Sequence, residues 1–203
     1  MLLTDSGNKE FAQAAVGNHV ARCVGMIDIG TQTSEYQGKT NHARKIVVRF
    51  ELPNELMADG EYAGKPFIVS KFYTASLGEK ANLRKDLESW RGRPFTTQEL
   101  AGFDSKNILD KPCMVNVVHN EKGKAKIASI APVPKGLDVP PRSNPILYFS
   151  LESDEFDRGI YETLADFYKG EIQKSPEWAE LMGTKMKAPQ GSHFDDFKDD
   201  IPF

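Results

Sequence analysis

Only two cysteines occur in 203 residues, Cys23 and Cys113, and each stands alone in an apolar, strand-like run. That placement suits reduced, buried thiols and argues against a disulfide framework or a paired Cys-x-x-Cys zinc site. The four histidines, His19, His42, His119 and His193, are scattered without ligand spacing, so no metal or other cofactor is expected. No apolar run approaches the ~20 residues of a membrane helix, and residues 1–17 lack the basic start and apolar centre of a signal peptide. The expectation is a cytoplasmic protein that does not touch a membrane. Gly-x-Ser-x-Gly, His-Glu-x-x-His and any nuclease-like gathering of carboxylates ahead of the C-terminal stretch are also missing. Gly38-Lys39-Thr40 invites comparison with a phosphate-binding loop. However, Thr33 stands where that motif needs a glycine, and strand-like residues follow where it needs a helix N-terminus. No catalysis is expected.

What the chain does have is an uneven charge. A composition of 39% hydrophobic and 27% charged residues suits one well-buried domain plus appendages. Residues 1–135 carry a net +4 and residues 136–203 a net −7. A basic body joined to an acidic arm is the electrostatic layout of a nucleic-acid binder, because Lys and Arg gain affinity by displacing phosphate counterions. The same +4 also lies within the ordinary scatter of a folded body.

After a polar lead-in over residues 1–16, His19 to Ile29 alternates as a strand, with Gly25 as a bend or bulge. Residues 30–42 have the composition of a loop. Ala43 to Glu51 puts Ile46, Val48 and Phe50 on one face, and Lys45, Val47 and Arg49 on the other. Lys65 to Thr74 is a third strand. Leu77, Leu83, Leu87 and Trp90 then share a helix face behind a capping-box pattern at Ser76–Glu79, and a second box at Thr96–Glu99 opens a short helix. Strands over Pro112–His119 and Lys124–Ile130 flank the turn Asn120-Glu121-Lys122-Gly123. The order strand, strand, strand, helix, strand, strand predicts a mainly β domain over residues 17–135. It is the order of a five-stranded OB-fold barrel, with its one helix between strands 3 and 4. Prolines over residues 136–150 predict a stiff linker, and helical spacing over 151–183 predicts a small helical hairpin.

Residues 184–203 read as an acidic tail too polar to fold, ending Asp199-Asp200-Ile201-Pro202-Phe203. Pro202 stiffens the backbone ahead of Phe203. A ring beside a carboxylate fits an apolar pocket rimmed by Lys or Arg, so these five residues are the candidate protein-binding site. A solubilising tail that happens to end in Phe is the plainer alternative.

Binding an unstructured strand requires a basic groove and aromatic faces for bases. Tyr36 and Lys39 in the first loop, Lys45 and Arg49 on the second strand, and Lys71, Phe72 and Tyr73 on the third are candidates. So are Lys122, Lys124 and Lys126 of the last hairpin. Phe72 and Tyr73 point to opposite faces, so one of them belongs to the core, and Lys45 and Arg49 also suit a merely solvated face. Trp90 fits the core.

The tip from Asp196 to Phe203 resembles the acidic C-terminal peptide of bacterial single-stranded DNA-binding proteins, with Lys198 where that family usually has Asp. Within residues 17–135, Gly30-Thr31-Gln32, Val47-Val48-Arg49-Phe50-Glu51-Leu52-Pro53, Ser70 to Thr74, Asn82 to Gly92 and Lys111 to Asn120 are similar to the single-stranded DNA-binding proteins encoded by phages. The resemblance implies non-sequence-specific binding and protection of single-stranded DNA during replication, recombination or repair. It also implies recruitment, through the tip, of partners such as exonuclease I, a RecQ-type helicase or the polymerase chi subunit. The Pro-rich linker departs from the Gly- and Gln-rich linker of bacterial relatives, which leaves their tetrameric assembly, and homo-oligomerisation generally, open here. Two alternatives stand beside this reading: a tail-mimicking adaptor or decoy for host repair proteins, and a strand-annealing recombination protein.

Overall fold

The computed structural model describes residues 12–36 and 38–183. The fold is mainly β. Strands β1 (Gly17–Tyr36), β2 (Lys39–Leu56), β3 (Pro66–Thr74), β4 (Pro112–His119) and β5 (Ala125–Ala131) form an antiparallel path in the order β3-β2-β1-β4-β5. A sixth strand, β6 (Leu147–Phe149), pairs parallel to β1. The hydrogen-bonded path is open, since β3 and β5 share no backbone ladder among the described residues. Their approach is marked by Lys71 of β3, whose Nζ donates to the Ala128 carbonyl of β5 at 3.4 Å. Helix α1 (Asn82–Arg91) lies against both strands.

Alternation explains the first core. Ile46, Val48 and Phe50 of β2 are buried together with Leu83, Leu87 and Trp90 of α1, as the two periodicities predict. Trp90 packs 5.7 Å from Phe50 and donates its indole N–H to the Pro112 carbonyl, so the ring is buried with its polar atom satisfied. Cys23 and Cys113 lie in the same core as free thiols. Burial pushes Cys23 up to about 12 and Cys113 well above the usual thiol range. The Thr96–Glu99 capping box forms at the start of α2 (Thr97–Ala101). The one expected at Ser76 does not: its hydroxyl accepts from the Gly78 N–H in a turn, and α1 begins six residues later without a side-chain cap. Among the described residues no helix is long and apolar enough to cross a membrane.

Three findings depart from the expected organisation. The polar stretch after Ile29 is no loop. It continues β1 and begins β2, paired from Thr31↔Arg44 to Tyr36↔Lys39. The Pro-rich stretch carries β6. The expected helical hairpin is three short helices, α3 (Arg158–Thr163), α4 (Asp166–Ile172) and α5 (Pro176–Leu181).

These helices pack on the outward side of β1 and β2, where Ile27, Ile29 and Val47 join Phe149, Leu151, Tyr161, Leu164 and Ile172 in a second core. Two glycines of β1 make room for this segment. A Cβ at Gly25, which sits at a register shift in β1, would stand 2.7 Å from the Leu147 carbonyl of β6. Gly30 has φ +72, and a Cβ there would come within 2.5 Å of Ser175 Oγ at the start of α5. Polar side chains fasten the rest. Glu51, fully buried, accepts from the N–H groups of Ser143 and Asn144 and from Asn144 Nδ2, at 2.6–2.8 Å. Asp28 accepts from the Leu151 N–H at 3.1 Å and pairs with Arg44 at 2.5 Å.

Candidate nucleic-acid interface

Register assigns each strand residue to a face. In the β2–β3 ladder, Lys45↔Thr74, Val47↔Phe72, Arg49↔Ser70 and Glu51↔Ile68 are opposite pairs, and with period-2 alternation they share the outward side. The intervening pairs, Ile46↔Tyr73, Val48↔Lys71 and Phe50↔Val69, face the first core. This parity sorts the sequence candidates. Lys45, Arg49 and Phe72 lie on the outward side. Tyr73 does not: it is 1% exposed, its hydroxyl donates to Asp86 at 2.7 Å, and no face of its ring is open to a base. Lys71 lies on the inner side too, its ammonium 2.7 Å from Asp86 and 5.6 Å from the Tyr73 ring, so its charge is already engaged.

The remaining candidates sit on hairpin ends. Tyr36 closes β1 opposite Lys39, and Lys39 is exposed. Lys122, Lys124 and Lys126 are exposed around the β4–β5 turn, which is held by the Gly123 N–H donating to the Asn120 carbonyl at 2.8 Å. Gly123 adopts φ +74, the left-handed conformation that favours glycine in such a turn. The Lys71–Ala128 bond brings β5, two residues on from Lys126, to the free edge of β3. The structure thereby brings Arg49, Phe72 and the last-hairpin lysines to neighbouring strands. Tyr36 and Lys39 lie at the end of the β1–β2 arm, beyond the paired Lys45 and Thr74.

Lys45 donates to Thr74 Oγ1 at 2.9 Å. Arg49 is half-buried, and its side chain makes no hydrogen bond or ion pair among the described residues. A half-buried arginine without an anion among the described residues is chemically suited to accept a phosphate as its partner.

Sequence reasoning missed the contribution of α4. Its Tyr168 hydroxyl lies 3.4 Å from Ser70 Oγ, and its Phe167 ring packs edge-on against Phe72 at 6.3 Å. The helix packs against β1, two of its side chains reach Ser70 and Phe72 of β3, and Val47, 0% exposed, is buried in the same second core. Phe167 itself is 49% exposed, a large ring presented beside the Arg49 row. Tyr62, in the β2–β3 connection, is 50% exposed with Lys65 Nζ 5.3 Å from its ring centre. Only their exposure identifies Phe167 and Tyr62, since neither lies in an alternating pattern that singles it out. The five tip residues, Asp199 to Phe203, lie outside the described residues, as does the whole of the stretch 184–203.

No protein family, curated protein or solved structure matches this chain.

Proposed function

We propose that the protein binds single-stranded DNA with little sequence preference and recruits replication or repair enzymes through Asp199 to Phe203. The observation that carries this reading is the strand path. Order β3-β2-β1-β4-β5, with α1 between β3 and β4 in the chain, is the order that an OB barrel would have, and the Lys71–Ala128 bond, with α1 against both strands, brings β3 and β5 near each other without a backbone ladder. In that arrangement strands 2 and 3 and the first and last hairpins meet the strand. Arg49, Lys45, Lys39 and the last-hairpin lysines supply charge, and Phe72, with Phe167 beside it, supplies aromatic surface. The Asp-rich tip supports the same reading independently, by its resemblance to the tails of single-stranded DNA-binding proteins.

One observation favours a second reading. Because Phe167 and Tyr168 of α4 reach Phe72 and Ser70, and Val47 is buried in the second core, less of the strand surface is open than a bare barrel would offer. An adaptor that displays its tip on an OB-like scaffold would tolerate that loss. Fluorescence anisotropy of labelled oligo-dT at several salt concentrations, with the full chain and with a chain ending at Gly191, separates the two. Binding that weakens steeply with salt and survives truncation is expected. No binding by either chain would reject the DNA reading and move the function to the tip.

A further inference from the structure

A cleft of about 550 Å³ opens where β1 and β2 meet α1, a 3-10 turn at Ser105–Ile108 and the segment after β6. Its floor is apolar, formed by Met26, Ile46, Leu83, Leu87 and Ile108, which belong to the first core. Its walls are acidic. Asp28, Asp104, Glu152, Asp154 and Glu155 line it, and Arg44 is the one cation among the lining residues. Arg44 is shared between Asp28 and Glu152, and Lys106, beside the cleft, is taken by Glu155. Five carboxylates thus face two cations, a local charge of −3. Asp154 makes no hydrogen bond or ion pair among the described residues and is exposed at the rim.

We propose that this cleft docks a short segment of a partner protein in which a large apolar side chain is flanked by Lys or Arg. The volume is within the ~300–1,000 Å³ of pockets that enclose a compact ligand. An apolar side chain covers the floor, removing core edges from water, and its flanking cations meet Asp104, Glu152 and Asp154 across the walls. A nucleic acid does not fit this cleft, because its phosphates meet the same carboxylates as like charges. The inference therefore stands apart from the DNA reading and survives its failure. A competing occupant exists within the chain, where Met186 stands between Lys185 and Lys187.

The test is an NMR titration of the full ¹⁵N-labelled chain with the synthetic peptide acetyl-Lys-Leu-Trp-Lys-amide and with the same peptide carrying Glu for Lys. Expected are shifts at Leu77, Phe103 and Tyr148 with the basic peptide alone. Ala75→Trp places a ring at an exposed position of the cleft mouth and should weaken binding by about tenfold or more, and Asp154→Asn with Asp104→Asn by about threefold. Asparagine at position 104 retains the side-chain acceptor that caps the turn through the Lys106 N–H. Absence of shifts, shifts centred on Asp195 to Asp200, or unchanged affinity in Ala75→Trp would each overturn the proposal. So would about tenfold tighter binding after Lys185→Glu with Lys187→Glu, which would assign the cleft to the chain's own segment.

Discussion

The two cores of this protein sit on opposite sides of the same two strands and are specified in different ways. The first, inside β1–β5 and under α1, is mostly aliphatic and is set by alternation: shift β2 by one residue and Val48 and Phe50 leave it. The second joins aliphatic strand residues to a run of rings from the C-terminal segment. Phe149, Phe156, Tyr161 and Trp178 form a chain of ring contacts, with Tyr161 and Trp178 stacked at 4.4 Å. It is held to the sheet by polar groups as much as by rings. Glu177 at the start of α5 accepts from the Thr31 N–H and hydroxyl at 2.8 and 2.6 Å. Burial pushes the Glu177 carboxyl up, but the two Thr31 donors prevail and hold it below the usual range. Gln32 Nε2 donates to the Ile29 and Glu171 carbonyls. Hydrophobic pattern decides that the first core forms. Directional bonds from Asp28, Thr31, Gln32 and Glu51 decide where the second one docks.

The largest effects should come from emptying each core in turn. Phe50→Ala and Phe149→Ala should each cost about 3–5 kcal/mol, the usual range for a buried Phe truncated to Ala. The costs should be spent differently. Phe50→Ala lowers protection against hydrogen exchange throughout β1–β5, whereas Phe149→Ala strips it from α3, α4 and α5 and leaves β4 and β5 protected. Equal loss in β4 and β5 for both variants would make the two cores one cooperative unit.

Glu51→Gln sharpens the claim about polar docking. The carboxylate receives three donors, and an amide at its place must turn an NH₂ toward at least one of them. A loss of about 2 kcal/mol is expected, as for other buried groups left mismatched, with early exchange over residues 139–151. Denaturant unfolding unchanged from wild type would show that the segment is held by its rings alone.

On the DNA side the effects are smaller and leave the fold alone. Phe167→Ala removes a half-exposed ring with its edge contacts to Phe72 and Tyr168, and Arg49→Ala a half-buried cation whose side chain has no hydrogen bond or ion pair among the described residues, so each should cost about 1 kcal/mol of stability. If a base stacks on Phe167, its loss weakens oligo-dT binding by about 1–2 kcal/mol, or roughly five- to thirtyfold. Tyr73→Phe serves as the contrast: it removes a part-buried hydrogen bond to Asp86, lowers stability and leaves affinity unchanged. Affinity lost in Tyr73→Phe but not in Phe167→Ala would reverse the assignment of faces.

What could be read in the sequence follows the same division. The first core, α1's buried face, the Gly25 irregularity and the turn at Gly123 all come from local periodicity or from a residue type with a single conformational use. The face of Lys71 and Tyr73 was not legible, because Phe72 and Tyr73 are both aromatic and neither parity breaks the pattern; pairing with β2 settles it. The strand arm around Tyr36 was also hidden. Its Thr, Ser and Gln residues have loop composition, and backbone pairing alone makes them strand. Least legible was the attachment of the C-terminal segment. It depends on the absence of a Cβ at Gly25 and Gly30 and on carboxylates more than ninety residues away in sequence from their donors. No local window contains those partners, and Phe167 and Tyr168 enter the candidate interface only through them.

The smallest effect should come from the corner between α1 and α2, where surface charge replaces burial. The Arg93 guanidinium, the Thr96 N–H and then Arg91 hold the Glu99 carboxyl down to about 2. A folded value below the ordinary one means that the carboxylate stabilises the fold above about pH 4.5, and that this contribution fades as the pH falls toward 2. The group is exposed, so the contribution is modest and salt-sensitive. Glu99→Gln keeps a side-chain acceptor for the Thr96 N–H while removing the charge that Arg91 and Arg93 share. Its melting temperature should lie slightly below wild type at neutral pH and converge on it in acid, and the gap should narrow in high salt. A gap that persists near pH 2 would assign the role of Glu99 to the cap alone. Glu51→Gln should show no such narrowing with salt, because screening ions do not reach a fully buried site.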